Sequence, residues 1–266
     1  MLRANQPARY LGGTTVALRT IIDANVRLSR LTEQRFGLPT DKTLWDAFER
    51  EADALIRGLP DGATVLDLGG GRRCVYADSV SPPGRVRLIA VDISAEELAL
   101  NNDVAETRVA DVSADLPMDA ASVDLILSRA LLEHVSGVPA AIQHMATVLK
   151  PGGVALHLVP GRYSLFGTAA RILPFNPLVK LLHAVMPWTR GQVEFPVHYD
   201  HCYPAALEKG FAAAGFSQVE TWITWAQPGY FEATYPLFLL HAGYEWAVRH
   251  LHINSLAAYT VVKAVR

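Results

Sequence analysis

Between Ala63 and Val159 the chain alternates between two rhythms. Short apolar runs at Thr64–Leu68, Val86–Val91, Arg108–Ala110, Val123–Leu127 and Val154–Val159 are separated by helical patterns at Arg73–Ser79, Ala95–Asn101 and Pro139–Leu149. The runs are largely apolar and rich in β-branched residues, the pattern of strands in a sheet covered on both faces. A strand that rejoins its sheet in the same direction needs a crossover helix to carry it back. The pattern therefore predicts an α/β protein in which helices cover both faces of a mostly parallel sheet.

The flanks add to this plan. Thr15–Phe36 and Thr43–Gly58 carry apolar residues at helical spacing, separated by Leu38-Pro39-Thr40, and Pro60-Asp61-Gly62 ends the second. Pro160 to Pro196 holds five prolines and much apolar surface, too long for an ordinary connection, and reads as an inserted helical lid. Pro204–Ala214 follows as a helix, Val219–Trp225 as a strand, Tyr230–His250 as a helix and Leu256–Ala264 as a last strand. With 266 residues, half of them hydrophobic, one large core is expected. The expected organisation is a single domain: a helical cap over 1–62, a cofactor-binding core over 63–159, a lid over 160–204 and the remaining sheet over 205–266.

Composition excludes several function classes. A net charge of −2 argues against a nucleic-acid partner, because such binders concentrate Lys and Arg to displace counterions. Cys74 and Cys202 are the only cysteines, far apart and outside metal-ligand spacing, which fits a reducing compartment such as the cytoplasm. No secretory signal and no apolar run of about 18 residues is present, so no transmembrane segment is expected.

The segment Val65-Leu66-Asp67-Leu68-Gly69-Gly70-Gly71 ends the first strand in three glycines. Glycines directly after a strand let a ligand approach the backbone, and a following helix offers free N–H groups. A nicotinamide-binding fold wants a small residue five positions after the first glycine, where helix and strand touch. Counting from Gly69, that position is Cys74. An acid inside the motif, Asp67, favours a ligand carrying positive charge instead.

Asp67-Leu68-Gly69-Gly70-Gly71 resembles motif I of the class I S-adenosylmethionine-dependent methyltransferases, of the quinone-type branch. The resemblance continues through Asp92-Ile93 after the second strand, Asp111-Val112 after the third, Ser122-Val123-Asp124-Leu125-Ile126-Leu127-Ser128 at the fourth and Leu149-Lys150-Pro151-Gly152-Gly153 before the fifth. It implies a three-layer Rossmann-like sandwich, a seven-stranded sheet whose last strand is antiparallel, and S-adenosyl-L-methionine as cofactor. It assigns cofactor binding to Asp67, Gly69, Gly70, Gly71, Asp92, Ile93, Asp111, Val112 and Ser128. Asp92 would take the ribose hydroxyls, and Asp111 the adenine amino group. The family usually has a further glycine where Arg73 stands. Arg72 and Arg73 point to solvent on the preferred reading, or one of them reaches the cofactor's carboxylate.

Methyl transfer from a sulfonium is an in-line displacement, so the protein supplies alignment and, for a hydroxyl acceptor, a base. The loop after strand four holds Leu132-Glu133-His134-Val135, and His134 is the first candidate base because imidazole titrates near neutrality. The alternative, which ranks higher, is that Glu133-His134 only shapes the loop. His198-Tyr199-Asp200-His201 is the second constellation: on an extended segment His198 and Asp200 share one side, where Asp200 could orient the imidazole. No further ligands accompany His198, Asp200 and His201, so no metal is expected.

The aromatic-rich second half has two readings, ordinary core or an apolar mouth for a lipid-linked, saccharide-linked or small aromatic acceptor. Peripheral membrane contact is the minor reading, since Gly167–Pro187 carries only Arg171, Lys180 and His183 as basic groups. The resemblance thus implies methyl transfer to a small or carrier-linked molecule, with oxygen first, then carbon, then nitrogen. A cofactor-binding scaffold without catalysis and a nicotinamide-dependent oxidoreductase are the remaining alternatives.

Overall fold

The computed structural model describes residues 16–172, 196–227 and 229–266. Seven strands, β1 (Thr64–Leu68), β2 (Arg87–Asp92), β3 (Glu106–Val109), β4 (Val123–Arg129), β5 (Leu149–Pro160), β6 (Gln218–Thr224) and β7 (Tyr259–Val265), form one sheet in the order β3-β2-β1-β4-β5-β7-β6. The strands from β3 to β5 run parallel, and β7 lies antiparallel to both β5 and β6. Strand order reverses at β1, so β2 and β4 diverge on either side of it and leave a crevice at their carboxyl ends.

Helices cover both faces. Leu44, Phe48, Ala52 and Ile56 of α2 (Asp41–Gly58) pack on one face against Val65, Leu125, Leu127 and Leu158. On the other face α4 (Val138–Val148) and α6 (Pro204–Ala213) bury Ala141, Ile142, Leu207 and Phe211 against Leu66, Ile126 and Val262. The apolar residues of α2 recur every three to four positions, which is why this face closes over the sheet. α1 (Val16–Phe36) lies instead along α7 (Tyr235–His250), where Arg30 pairs with Glu232 just ahead of α7 and Thr32 Oγ1 hydrogen-bonds Tyr235 Oη at 3.0 Å. α5 (Leu165–Ile172) begins the predicted lid, whose residues 173–195 fall outside the described ones. Among the described residues, no helix is long and apolar enough to cross a membrane.

Three predicted elements differ. Arg73–Ser79 forms no α-helix, only a 3-10 turn at Ala77–Ser79. Ser81-Pro82-Pro83-Gly84 stands directly behind it and withholds the N–H donors that a nascent helix needs to propagate. The helix expected at Ala95–Asn101 is the four-residue α3 (Ala95–Leu98), capped by Ser94 Oγ, which accepts from Glu97 N at 3.2 Å. The helix expected from Tyr230 begins at Tyr235, behind a 3-10 turn at Gly229–Phe231, because Pro236 fits a first turn and not an interior.

Candidate active site

Asp67 occupies the penultimate position of β1, in register with Leu127 of β4, and its side chain lies on the α2 face. The chain turns at Gly69, where φ is +76°, a region that side-chain-bearing residues avoid. Gly69 N and Gly70 N both donate to Val91 O, at 2.7 and 3.2 Å, which ties the turn to the end of β2. At Gly70 a Cβ would stand 2.8 Å from Ala90 Cβ and 3.1 Å from Asp67 O, so no side chain fits. Gly71 N donates to Asp92 Oδ2 at 3.1 Å. Asn101, buried behind the turn, donates its amide to Gly71 O at 2.9 Å and Gly70 O at 3.3 Å. Asp103 Oδ2 accepts from Cys74 N, also at 3.0 Å from Arg73 Nε. The glycine turn is thus held from three sides without a helix behind it.

Arg72 and Arg73 lie on the outside of this arrangement. Arg72 makes a two-pronged bond to Glu97 at 2.5 Å per arm, and Arg73 pairs with Asp103. Their side chains are 56% and 80% exposed.

Burial pushes the Asp67 carboxyl up to about 7, while the Cys74 thiol bonded to it and the nearby Arg129 guanidinium pull the other way. Arg129 ends β4, sits over the Trp45 ring at 5.7 Å and lies 3.5 Å from Glu49 Oε1. It opens onto a cavity of about 460 Å³ that runs between α2 and the non-helical segment Val75–Ser79. The sequence reading missed Arg129; its only signal was a cation directly after an apolar strand.

The acids predicted for the adenosyl half stand on the rim. Asp92 Oδ1 accepts from Ser94 N at 2.9 Å, which together with the Gly71 bond fixes the carboxylate across the β1–β2 crevice. Ile93 follows it with 65% of its surface exposed, an apolar face left in water beside the acid. Asp111 is exposed at the end of β3, and the Ser113 hydroxyl and N–H, donating at 2.7 and 2.9 Å, hold its carboxyl below the usual range. Val112 is buried in the core, and its carbonyl meets His144 Nδ1 at 3.1 Å. A carboxylate for vicinal hydroxyls, a bare apolar face for a flat base and a second rim acid suit an adenosine, so the residues present fit the implied cofactor.

Ser128 turns the opposite way. Its hydroxyl is fully buried and hydrogen-bonded to His157 Nδ1 at 2.7 Å on the α4/α6 face. Burial pushes the His157 imidazole down to about 3, so it stays neutral.

Beyond β4, Leu132–His134 form a 3-10 turn, and residues 196–199 cross it. His198 N and Tyr199 N both donate to Glu133 O, at 2.7 and 2.9 Å. His134 Nδ1 lies 2.8 Å from Pro196 O. The two candidate imidazoles, His134 and His198, are thereby brought near each other; burial lowers the His134 pKa, the Pro196 carbonyl pulls the other way, and His198 adds a smaller lowering. The Glu133 carboxyl is buried, with Oε1 3.8 Å from His134 Nε2 and Oε2 without a hydrogen-bond partner among the described residues, and burial pushes it up to about 8.

The expected extended run is absent: Tyr199 and His201 have φ of +52° and +54°, and the chain coils tightly. Asp200 consequently leaves His198. Its Oδ2 accepts from Val138 N at 3.2 Å at the start of α4, and its Oδ1 meets His201 Nδ1 at 2.6 Å. Among the described residues no cluster of three potential metal ligands occurs.

The strand order with its single antiparallel strand, the glycine turn after β1 and the acids closing β2 and β3 define the class I S-adenosylmethionine-dependent methyltransferase fold. A family profile described as "Methyltransferase domain" matches residues 38–221, and the chain belongs to that family. It is 35% identical over 127 residues to a trans-aconitate 2-methyltransferase of Azoarcus sp. (strain BH72), covering 44% of this chain and 48% of the relative. It is 32% identical over 159 residues to an uncharacterized methyltransferase of Mycolicibacterium vanbaalenii, covering 56% and 59%. The chain spans about half the length of the curated relatives it matches. Among solved structures, a SAM dependent methyltransferase from Archaeoglobus fulgidus superposes with a TM-score of 0.52 at 16% identity, covering 89% of this chain and 98% of that one. Phosphoethanolamine N-methyltransferase 2 of Haemonchus contortus, in complex with S-adenosyl-L-methionine, reaches 0.51 at 15% identity, covering 82% and 52%. At these identities the structural likeness is one of fold.

Proposed function

We propose that this chain transfers the methyl group of S-adenosyl-L-methionine to an oxygen atom of a small-molecule, lipid-linked or saccharide-linked acceptor. S-adenosylmethionine supplies an electrophilic methyl on a positively charged sulfur. The protein's part is to hold that donor, align the acceptor and take up a proton. Asp92 would accept hydrogen bonds from the ribose hydroxyls, Ile93 and Val112 would border the adenine, and Asp111 would accept from its amino group. The backbone of Gly69–Gly71 would line the donor's site. Asp67 and Arg129 would hold its amino-acid end, Arg129 as the partner of the carboxylate. Ser128, whose hydroxyl is committed to His157, contributes through its main chain at the end of β4.

The approach of His134 and His198 over the turn after β4 carries the oxygen assignment. A hydroxyl acceptor must lose a proton as the methyl arrives, and the base has to be neutral at working pH. His134 meets that condition because burial lowers its pKa. The Pro196 carbonyl can only accept, so Nδ1 carries the ring proton and Nε2, 3.8 Å from Glu133 Oε1, the lone pair. Asp200 acts on this site indirectly, through the N-terminus of α4. A relative named for trans-aconitate supports an acceptor of small-molecule class.

The test uses donor carrying a ¹³C-methyl group, incubated with separate lipid and water-soluble extracts. The carbon resonance of the product distinguishes methyl on oxygen, nitrogen or carbon. An O-methyl signal that depends on the protein and fades in His134→Ala supports the reading; an N-methyl or C-methyl product overturns it.

A further inference from the structure

A second cavity, of about 490 Å³, lies at the far edge of the sheet where β6, the α1–α2 connection and α7 meet. Trp222, Trp225 and Trp246 form its walls together with Leu44 and Ile223. The volume is in the range of small-molecule sites, and indole faces favour flat rings, which stack on them with little loss of conformational freedom. Trp225 is pinned by its indole N–H to Ile253 O at 3.0 Å, so that wall is preformed.

The inner end of this cavity is polar. It shares Leu38, Pro39, Thr40, Ala242 and Glu245 with an adjoining chamber of about 50 Å³, which Gln227 and His241 also line. Both residues are 8% exposed; His241 Nε2 faces Glu245 Oε1 at 3.4 Å, whereas Gln227 Nε2 has no hydrogen-bond partner among the described residues. Other contacts fix these groups: the Gln227 main-chain N–H donates to Glu245 Oε1 at 2.8 Å, and the His241 ring stacks on Phe231 at 4.3 Å. A buried amide hydrogen without an acceptor is costly, and such groups in a folded protein call for a partner. The charges along the cavity, Glu245, Arg249 and His250, are of mixed sign, and the chamber adds Glu33 and Glu232, the latter paired with Arg30, so an anionic ligand is disfavoured.

We propose that this cavity binds an uncharged small molecule with a flat apolar ring system and a hydrogen-bond-accepting carbonyl or hydroxyl, the rings against the tryptophans and the oxygen at the Gln227 amide. The site is separate from the methyl donor's. β6 lies four strands from β1, about 19 Å at normal strand spacing. α2 stands between them, with Thr43, Leu44 and Ala47 turned to this cavity and Asp46, Glu49, Arg50 and Asp53 to the one beside Arg129. The ligand is therefore not the reacting part of an acceptor.

The probe is 2-acetyl-6-(dimethylamino)naphthalene, a two-ring ketone whose emission moves to the blue in apolar surroundings. Titrating it into the full chain should give saturable binding of one equivalent with a blue shift, and a saturating amount of S-adenosylhomocysteine should leave its Kd unchanged. Ala242→Trp and Ala47→Phe each fill the cavity and should weaken binding at least tenfold. Gln227→Leu should weaken it several-fold and move the bound emission further to the blue, because the ketone loses its donor. Thermal melting of each variant establishes that it is folded, and having two filling variants on different helices keeps the test valid if one is not. Absence of saturable binding, full affinity in a folded filled variant, or displacement by S-adenosylhomocysteine overturns the proposal.

Discussion

Replacing Glu133 by Gln should make the protein more stable in mild alkali and leave it unchanged in mild acid. Glu133 is enclosed beneath the turn after β4, and burial raises its carboxyl from 4.5 to about 8. Between those values the folded protein keeps a proton that the unfolded chain has released, so stability falls as pH rises through this window. The shift of about 3.5 units corresponds to roughly 5 kcal/mol at full development, of which about 3 kcal/mol falls between pH 5 and pH 8. Gln has the shape of the protonated acid and never ionises. Urea denaturation of both proteins should therefore give free energies within about 1 kcal/mol at pH 5, with Glu133→Gln ahead by up to about 3 kcal/mol at pH 8. Asp67, whose raised pKa adds a slope of the same sign, is present in both proteins and cancels in the difference. A difference that stays flat across the range would mean that Glu133 ionises as easily folded as unfolded, and the argument from burial would be wrong.

Three further substitutions separate binding, chemistry and scaffold. Gly70→Ala forces a methyl group against Ala90 and the Asp67 carbonyl, and should cost about 1–3 kcal/mol in denaturant midpoint measurements while abolishing donor binding by calorimetry. Asp200→Ala removes the acceptor at the start of α4 and should cost about 1 kcal/mol of stability with no change in the Kd for S-adenosylhomocysteine. His134→Ala should lower kcat by about 100-fold or more and KM little, and remove the acid limb of the pH–rate profile.

The α/β class and the mostly parallel sheet were legible because burial on both faces of a parallel strand leaves a largely apolar run that few other structures produce. Asp67, Asp92 and Asp111 stand out in the sequence because each lies at or just past the end of such a run. What escaped was set by distant contacts. The helix expected over Arg73–Ser79 fails because prolines follow it and because Asn101 and Asp103, some thirty residues on, hold the turn in its place. The separation of His198 from Asp200 depends on positive φ at Tyr199 and His201, a conformation their residue types do not announce. His157 and Ser128 read as ordinary strand residues, and only the pairing of β4 with β5 shows that they satisfy each other.

The central claim is that the crevice bounded by Gly69–Gly71, Asp92 and Asp111 receives the adenosyl donor, and calorimetric titration with S-adenosylhomocysteine tests it most directly. One equivalent should bind to the unaltered chain with a micromolar or tighter Kd. Asp92→Ala should weaken that binding about 100-fold, as expected for losing charge-assisted hydrogen bonds to the ribose, and NAD should give no heat. Silence with S-adenosylhomocysteine, or equal affinity after Asp92 is removed, would contradict the account.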